Sequence, residues 1–400
     1  MSFLSLLRRD RDVLAFGFAF TFASSLGQTF FISLFVPGLS KALDVGAPLM
    51  AGLYGAATVV SALCLPALGR RLDDVDLLRF AAWVLAGLAL GALLLATATH
   101  LAMLALGLLC LRLAGQGLMS HVALTGAARY FEDHRGKALS LTGLGHAAGE
   151  GVLPLTVVAL IAWLDWRWAM ALCGLVLAGL VGPAAMALVR RNARFRTPAP
   201  PAAGADPADR RSSALLRDPE FWRLLPLLVA SPFTVTALIF HQGWLADSLG
   251  LSLTVFAAAF VGFALVQAPT GFLAGAVVDR IGSRRVLQWH VAPFVAGLLL
   301  LAAFGDGWAV WAFLALAGVT NAAGALLRTS MVAELVSLDR LGAARSLVSA
   351  CMVVSTAAGP AVYGLLIAAG LTPSAILTAA AVSLALCVPP ALRWRKLTVA

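Results

Sequence analysis

Long apolar stretches alternate with short polar turns along the whole chain, and each stretch is long enough to form a membrane-spanning helix. A helix needs about 20 consecutive apolar residues to cross the hydrocarbon core of a bilayer. We therefore expect an all-α integral membrane protein with twelve transmembrane helices. The predicted spans, numbered 1 to 12 in chain order, are 13–39, 49–68, 78–98, 101–127, 138–163, 166–190, 221–247, 253–278, 285–305, 308–335, 342–370 and 373–392.

The composition excludes several other classes of protein. Of the 400 residues, 61% are hydrophobic and 12% are charged, whereas soluble domains have roughly 45–50% apolar and about 25% charged residues. A soluble enzyme, a disordered chain and a secreted disulfide scaffold are thereby excluded. The apolar stretches also lack the ~10-residue segments of alternating hydrophobicity that form outer-membrane barrels. The first stretch is too long for a signal-peptide core, so we expect it to be retained as span 1.

The basic residues are distributed unevenly between the two sides of the predicted bundle. Of the 29 lysines and arginines, 25 lie at the termini or in or next to the connections after even-numbered spans, and only Lys41 and Arg167 lie in or next to the other connections. Because cytoplasmic loops carry the excess of positive charge, both termini should be cytoplasmic, and we expect a multi-pass protein of the bacterial inner membrane. The net charge of +10 then follows from topology and gives no indication of nucleic-acid binding.

The chain divides into two related halves. Residues 191–220 form the only long polar stretch, which predicts a cytoplasmic linker between a six-helix bundle at 1–190 and a second at 221–400. Residues of the halves correspond at a constant offset of 206 positions, among them Gly69 with Gly275, Asp73 with Asp279 and Pro154 with Pro360. Two similar bundles in tandem follow the parallel-repeat plan of a large class of transporters.

The loop after span 8 reads Gly275-Ala-Val-Val-Asp279-Arg280-Ile-Gly282-Ser-Arg284-Arg285. This sequence resembles the signature loop of the major facilitator superfamily. The corresponding loop after span 2 keeps Gly69 and Asp73 but lacks the later glycine and the paired basic residues. The resemblance implies two six-helix bundles related by a pseudo-two-fold axis, and transport of a small molecule by alternating access. We expect the protein to act as a monomer.

Two interpretations of this signature loop remain open. In the first, Gly275 permits close helix approach and Asp279 caps a helix or pairs with arginines, forming a latch that breaks when the bundles rock. In the second, Arg280, Arg284 and Arg285 are present because cytoplasmic loops are basic.

Ionisable residues inside spans 4 and 5 are candidates for function, because a charge at the bilayer centre costs at least ~2.5–3.5 kcal/mol. Arg112 lies in span 4 with Gln116 one turn away, and Glu150 lies in span 5 with His146 one turn away. In one interpretation Glu150 and His146 exchange protons while Arg112 binds an anionic substrate or pairs with Glu150. In the other, Arg112 and Glu150 form a static buried pair.

Further polar residues lie in spans 1, 7 and 10. Arg328 in span 10 either serves the substrate path, with Asn321 on the same helix face, or pairs with Glu334. The remaining candidates contact either a ligand or a neighbouring helix: Gln28 in span 1, on a face with Thr21 and Ser25, and His241 and Gln242 in span 7.

No sequence motif of catalysis or of metal binding is present. The five cysteines lie in apolar stretches without a CxxC spacing, and no G-x-S-x-G, H-E-x-x-H or P-loop occurs. The glycine-rich segment 143–151 lies within span 5, where helix packing explains it better than dinucleotide binding. We therefore expect no enzymatic activity, no cofactor and no metal site.

These features predict a secondary active transporter that moves a small organic anion together with protons across the lipid bilayer. Proton-coupled efflux of drugs or metabolites is an alternative, although span 5 lacks the Gly-Pro antiporter pattern. A second alternative is a membrane sensor that has kept the transporter scaffold without flux.

Overall fold

A computed structural model of the chain describes residues 3–131, 134–191, 218–335 and 341–392, which are largely helical and include no β-strand. The chain forms two compact units, Met1–Ala202 and Ala203–Ala400. Most of the predicted linker, residues 192–217, lies outside the described residues. Eleven helices in the described ranges are long and apolar enough to cross a membrane.

Spans 2 to 12 have the predicted order, and their bounds agree with the hydropathy pattern to within a few residues except at span 7. In the N-terminal unit the helices are Ala47–Leu72, Leu77–Ala96, Leu101–Tyr130, Arg135–Leu164 and Trp166–Val189. In the C-terminal unit they are Pro219–Phe240, Leu253–Ile281, Ser283–Phe304, Gly307–Val332, Ala344–Ala368 and Pro373–Ala391. Span 7 ends earlier than predicted, and a short separate helix, Gln242–Ser248, follows it.

Polar residues in the short connections begin several of these helices. The Asp76 carboxylate accepts hydrogen bonds from the backbone N–H groups of Leu78 and Arg79, at 2.8 and 3.2 Å. Asp165 caps the helix of span 6 in the same way. These carboxylates satisfy N–H groups that have no partner within the helix. The connection between spans 8 and 9 turns at Gly282, whose φ of +84° favours glycine.

Span 1, predicted as a single helix over 13–39, is interrupted near its middle. The α-helix Arg11–Ala23 passes into a 3-10 turn at Ser24–Gly27, and Gln28 is extended before short helices resume at Thr29–Ile32 and Val36–Leu43. The Ser24 hydroxyl donates to the Thr21 carbonyl at 2.6 Å. Such local side-chain bonds compete with the regular helix, and hydropathy does not detect them.

Glycines bring span 5 close to span 1. The Thr21 hydroxyl donates to the carbonyl of Thr142 at 2.6 Å. A Cβ at Gly145 would overlap the Phe18 carbonyl, and one at Gly149 would overlap the Ser25 hydroxyl. The predicted packing role of the glycine-rich segment 143–151 is therefore confirmed at Gly145 and Gly149.

Large apolar side chains are exposed along the outside of the helices. Trp163 and Phe272 are each 80% exposed, and Leu63 is 74% exposed. Many exposed apolar side chains of this size are unfavourable in water and favourable in lipid. The C-terminal unit also has a buried apolar cluster that includes Phe221, Leu327 and Met331.

Candidate functional site

Arg112 is buried within the N-terminal unit beside the break in span 1. Its Nη1 donates to the carbonyl oxygen of Gly27 at 2.8 Å, and its Nε donates to the Thr58 hydroxyl at 3.0 Å. The side chain is 1% exposed. The guanidinium therefore satisfies a backbone carbonyl at the irregular segment of span 1, where helical bonds are interrupted.

Tyr54 supports the same arrangement from span 2. Its ring lies under the Arg112 guanidinium, with 4.9 Å between the guanidinium carbon and the ring centroid. Its hydroxyl shares a 2.6 Å hydrogen bond with the Thr29 hydroxyl, just after the break. Tyr54 thus links the cation to the segment that resumes span 1, through a cation–π contact and a hydrogen bond.

Two glycines allow the broken segment to lie directly against span 4. A Cβ at Gly115 would lie 2.6 Å from the Gly27 nitrogen, and a Cβ at Gly27 would overlap the Leu111 carbonyl. Span 4 is π-helical here, from Leu111 to Met119. π-Helical turns occur often at functional sites.

The structure does not join Arg112 to Glu150. The partners of Arg112 within the described residues are the Gly27 carbonyl, the Thr58 hydroxyl and the Tyr54 ring, and none is a carboxylate. The static Arg112–Glu150 pair considered from the sequence is therefore wrong. Gln116 is half-buried on the same π-helical turn, and Gln28 is half-buried at the break itself.

His146 and Glu150 lie one helical turn apart on Arg135–Leu164, and both are half-buried. The His146 Nε2 is hydrogen-bonded to the Ser120 hydroxyl at 3.2 Å, which connects span 5 to span 4. Each group is able to bind and release a proton.

The polar residues of span 7 connect helices of the C-terminal unit. The Nε2 of His241 donates to the Pro360 carbonyl in span 11 at 2.9 Å. Gln242 is buried at the start of the following short helix. In span 10, the Asn321 amide donates to Gln267 Oε1 in span 8 at 3.0 Å. His241 and Asn321 thus have helix-linking partners.

Arg328, also in span 10, is half-buried, whereas Arg112 is buried. Within the described ranges its guanidinium has no hydrogen-bond acceptor and no carboxylate partner. The alternative in which it pairs with Glu334 is wrong for the described residues, because no ion pair joins the two; the Glu334 carboxylate instead accepts a 2.6 Å hydrogen bond from the Ser283 hydroxyl. His290 of span 9 lies beside Arg328, since a Cβ at Gly324 would be 3.2 Å from Arg328 Nη1 and 3.8 Å from His290 Nε2.

The signature loop is exposed. Asp279, Arg280, Arg284 and Arg285 all lie on the surface of the C-terminal unit. Asp279 neither caps the next helix nor pairs with a described arginine.

The glycines of the two loop copies differ in their surroundings. A Cβ at Gly275 would meet open space, so the expected close helix approach there is not observed. At Gly69 a Cβ would lie 3.3 Å from His121 Nε2. The side chain of Asp73 lies outside the described residues.

Sequence reasoning missed Tyr54, Thr58, Gln267 and His290. Each is a polar or aromatic residue within an apolar span, which is a weak signal by itself. Their importance comes from contacts with Arg112, Asn321 or Arg328, which are distant in sequence. In the described part of the chain, no three His, Cys, Asp or Glu side chains are grouped as a metal site would require.

Comparison with known proteins identifies the family. The family profile of the Major Facilitator Superfamily matches residues 17–241 and 227–399. No curated protein shows significant sequence similarity to the chain.

Two similar solved structures are transporters. One is a bacterial homolog of the human lysosomal transporter Spinster, in an inward-facing and occupied conformation, with 15% identity, a TM-score of 0.69 and coverage of 96% of this chain and 93% of that chain. The other is the nucleoside transporter NupG, with 13% identity, a TM-score of 0.74 and coverage of 96% and 99%. At this identity the likeness is one of fold.

Proposed function

The chain belongs to the Major Facilitator Superfamily, and from this premise we propose that it moves a small organic anion together with protons. Family membership and the fold of its transporter neighbours indicate a membrane transporter rather than an enzyme. The apolar helices make it a multi-pass membrane protein. Within this class, we propose a monomer in the bacterial inner membrane that works by alternating access.

The observation that carries the anion assignment is the uncompensated charge of Arg328. Arginine within a membrane span is unfavourable, and such residues are commonly paired or line a substrate path. Arg328 has no carboxylate partner in the part of the chain that the structure describes. An anionic substrate would supply the missing negative charge and the missing hydrogen-bond acceptors.

Arg112 supports the same function in a different way. Its guanidinium is occupied by the Gly27 carbonyl and the Thr58 hydroxyl. We assign to Arg112 the task of holding the irregular segment of span 1, next to the half-buried Gln28. Interrupted helices are common around transporter substrate sites.

The proton path is assigned to Glu150 and His146. They lie one turn apart on span 5, and His146 is bonded to Ser120 of span 4. Glu150 and His146 both change charge on protonation, which supports a role for them in proton coupling.

The test is flux in liposomes that contain a pH-sensitive dye. Acetate, benzoate, a neutral nucleoside and a cationic dye are added in turn, with protein-free liposomes as the background. We expect the two carboxylates alone to drive proton movement. Glu150→Gln should abolish the proton signal, whereas Asp247→Asn should not, because Asp247 is exposed and outside the spans.

Each other outcome selects a different function. Proton movement driven only by the cationic dye would favour drug efflux, and carboxylate flux without protons would overturn the coupling. Binding of a carboxylate without flux by folded protein would favour the sensor on a transporter scaffold. The direction of the proton signal with inward and outward gradients separates import from export.

A further inference from the structure

Arg328 lies near one end of span 10 in the C-terminal unit, and His290 of span 9 lies beside it. It is four residues before Val332, where the apolar span ends, so its Cα is about 6 Å along the helix from that end. Arg328 therefore belongs to the apolar span but lies close to its end. An ion from the adjacent aqueous side can reach the guanidinium there.

His290 and Gly324 complete the surroundings of Arg328. If Gly324 carried a Cβ, that atom would lie 3.2 Å from Arg328 Nη1 and 3.8 Å from His290 Nε2. A Cβ at Gly324 would be in tight contact with the guanidinium, so glycine at this position allows Arg328 and His290 to approach the backbone of span 10. The other ring nitrogen, His290 Nδ1, donates to the Leu287 carbonyl at 2.7 Å, which fixes the ring with Nε2 on the Arg328 side.

A hydrogen bond also joins spans 9 and 10 nearer the end of span 10. The Ser283 hydroxyl donates to Glu334 at 2.6 Å, and Ser283 is fully buried. The Glu334 carboxylate is thus held by span 9 rather than by Arg328.

We propose that Arg328, His290 and Gly324 form a binding site for a small organic carboxylate within the C-terminal bundle. This inference rests on the proposed function and names the residues that hold its anion. The guanidinium fork matches the two carboxylate oxygens, which a single ammonium does not. His290 Nε2 borders the same site.

Binding is tested by calorimetry on the purified full-length protein in detergent, with sodium acetate, sodium benzoate and sodium phosphate as probes. We expect the carboxylates to bind, and Arg328→Met to weaken them by at least about tenfold. Arg328→Lys should weaken them less, and Gly324→Ala should weaken them while every charge is kept. Arg345→Gln is the control, because Arg345 is an exposed arginine of the same bundle.

A second measurement does not depend on the identity of the anion. Because Arg328 has no internal acceptor among the described residues, Arg328→Met should raise the thermal unfolding midpoint of the ligand-free protein. Arg112→Met should lower it, because the Gly27 carbonyl loses its partner. A fall in the midpoint for Arg328→Met would reveal an internal partner and overturn the proposal.

The remaining outcomes are also decisive. Unchanged carboxylate binding in Arg328→Met, or absence of carboxylate binding by the folded wild-type protein, overturns the site. Binding of phosphate alone overturns the carboxylate assignment. If carboxylate binding depends on Arg328 but no flux occurs in liposomes, the binding site stands and the proposed transport is overturned. If carboxylate flux survives Arg328→Met, the proposed transport stands and the binding site is overturned.

Discussion

Arg112 in span 4 donates a 2.8 Å hydrogen bond from Nη1 to the backbone carbonyl of Gly27, where span 1 is interrupted. The contact joins residues that are far apart in sequence, and it gives a buried cation a backbone partner instead of a carboxylate. In the apolar interior of a membrane protein, a carbonyl released from the helical pattern needs such a donor. The break in span 1 therefore supplies the acceptor for the buried arginine of span 4, and the arginine supplies the donor for the carbonyl at the break.

Replacement of Arg112 should destabilise the N-terminal bundle. Arg112→Met leaves the Gly27 carbonyl and the Thr58 hydroxyl without their donor, and we expect a loss of about 1–3 kcal/mol in the free energy of unfolding. Arg112→Lys should recover only part of it, because one ammonium does not reproduce the fork of the guanidinium. Denaturant-induced unfolding in detergent measures the loss. Arg79→Met is the matched control at an exposed arginine, and equal stability of the two variants would refute the assigned role.

The Tyr54–Thr29 hydrogen bond should couple span 2 to the segment after the break. Tyr54→Phe keeps the ring under Arg112 but removes the hydroxyl that shares a 2.6 Å bond with Thr29. We expect a cost of about 0.5–1.5 kcal/mol. A double-mutant cycle with Thr29→Val measures the interaction directly. Additive effects of the two substitutions would show that the hydroxyls do not stabilise each other.

Two glycines of span 5 should respond differently to the same substitution. At Gly145 an added methyl group overlaps the backbone of span 1, whereas at Gly143 nothing described lies within 4 Å of the new atom. Gly145→Ala should cost about 1–3 kcal/mol through overpacking. Gly143→Ala should be neutral or stabilising by up to ~1 kcal/mol, because alanine favours the helix.

Thermal unfolding of the two variants in detergent compares them under identical conditions. Both substitutions add one methyl group to the same helix, so the gain in helix propensity is the same for the two variants. A loss of stability at Gly143 equal to that at Gly145 would mean that packing against span 1 is not the cause.

Hydropathy predicts most of this fold because the bilayer imposes one length and one polarity on every span. It locates Leu77–Ala96 and Leu253–Ile281 to within a few residues. It fails at Ser24–Gly27, because a change from α-helix to 3-10 turn alters hydrogen bonding without altering apolarity. That local geometry depends on Arg112 and Gly115, which belong to another helix.

In the candidate site, too, sequence identifies some features and misses others. The rarity of charges in spans identifies Arg112, Glu150 and Arg328 from sequence alone. Sequence does not reveal which of the arginines is already occupied, because the Gly27 carbonyl has no sequence signature. His290 is likewise conspicuous only beside Arg328, and the correspondence of Gly69 with Gly275 does not extend to their surroundings.

Arg167 should stabilise the connection between spans 3 and 4, although it is one of only two basic residues that the charge pattern assigns to the far side. Its guanidinium donates to the carbonyls of Ala96 and Ala98 at 2.9–3.0 Å and lies 4.4 Å above the Trp166 ring centroid. Arg167→Met should therefore cost about 1–3 kcal/mol, measured by denaturant-induced unfolding.

Lys41→Met provides the comparison, because Lys41 is the other basic residue assigned to that side and is exposed. Its replacement should leave stability within about 0.5 kcal/mol of the wild type. A basic residue on this side opposes the orientation that the cytoplasmic arginines favour. If Arg167→Met proved as stable as Lys41→Met, the two carbonyl contacts would not explain why this arginine is tolerated there. If only Arg167→Met is destabilised, the structural contacts offset the unfavourable position of the charge.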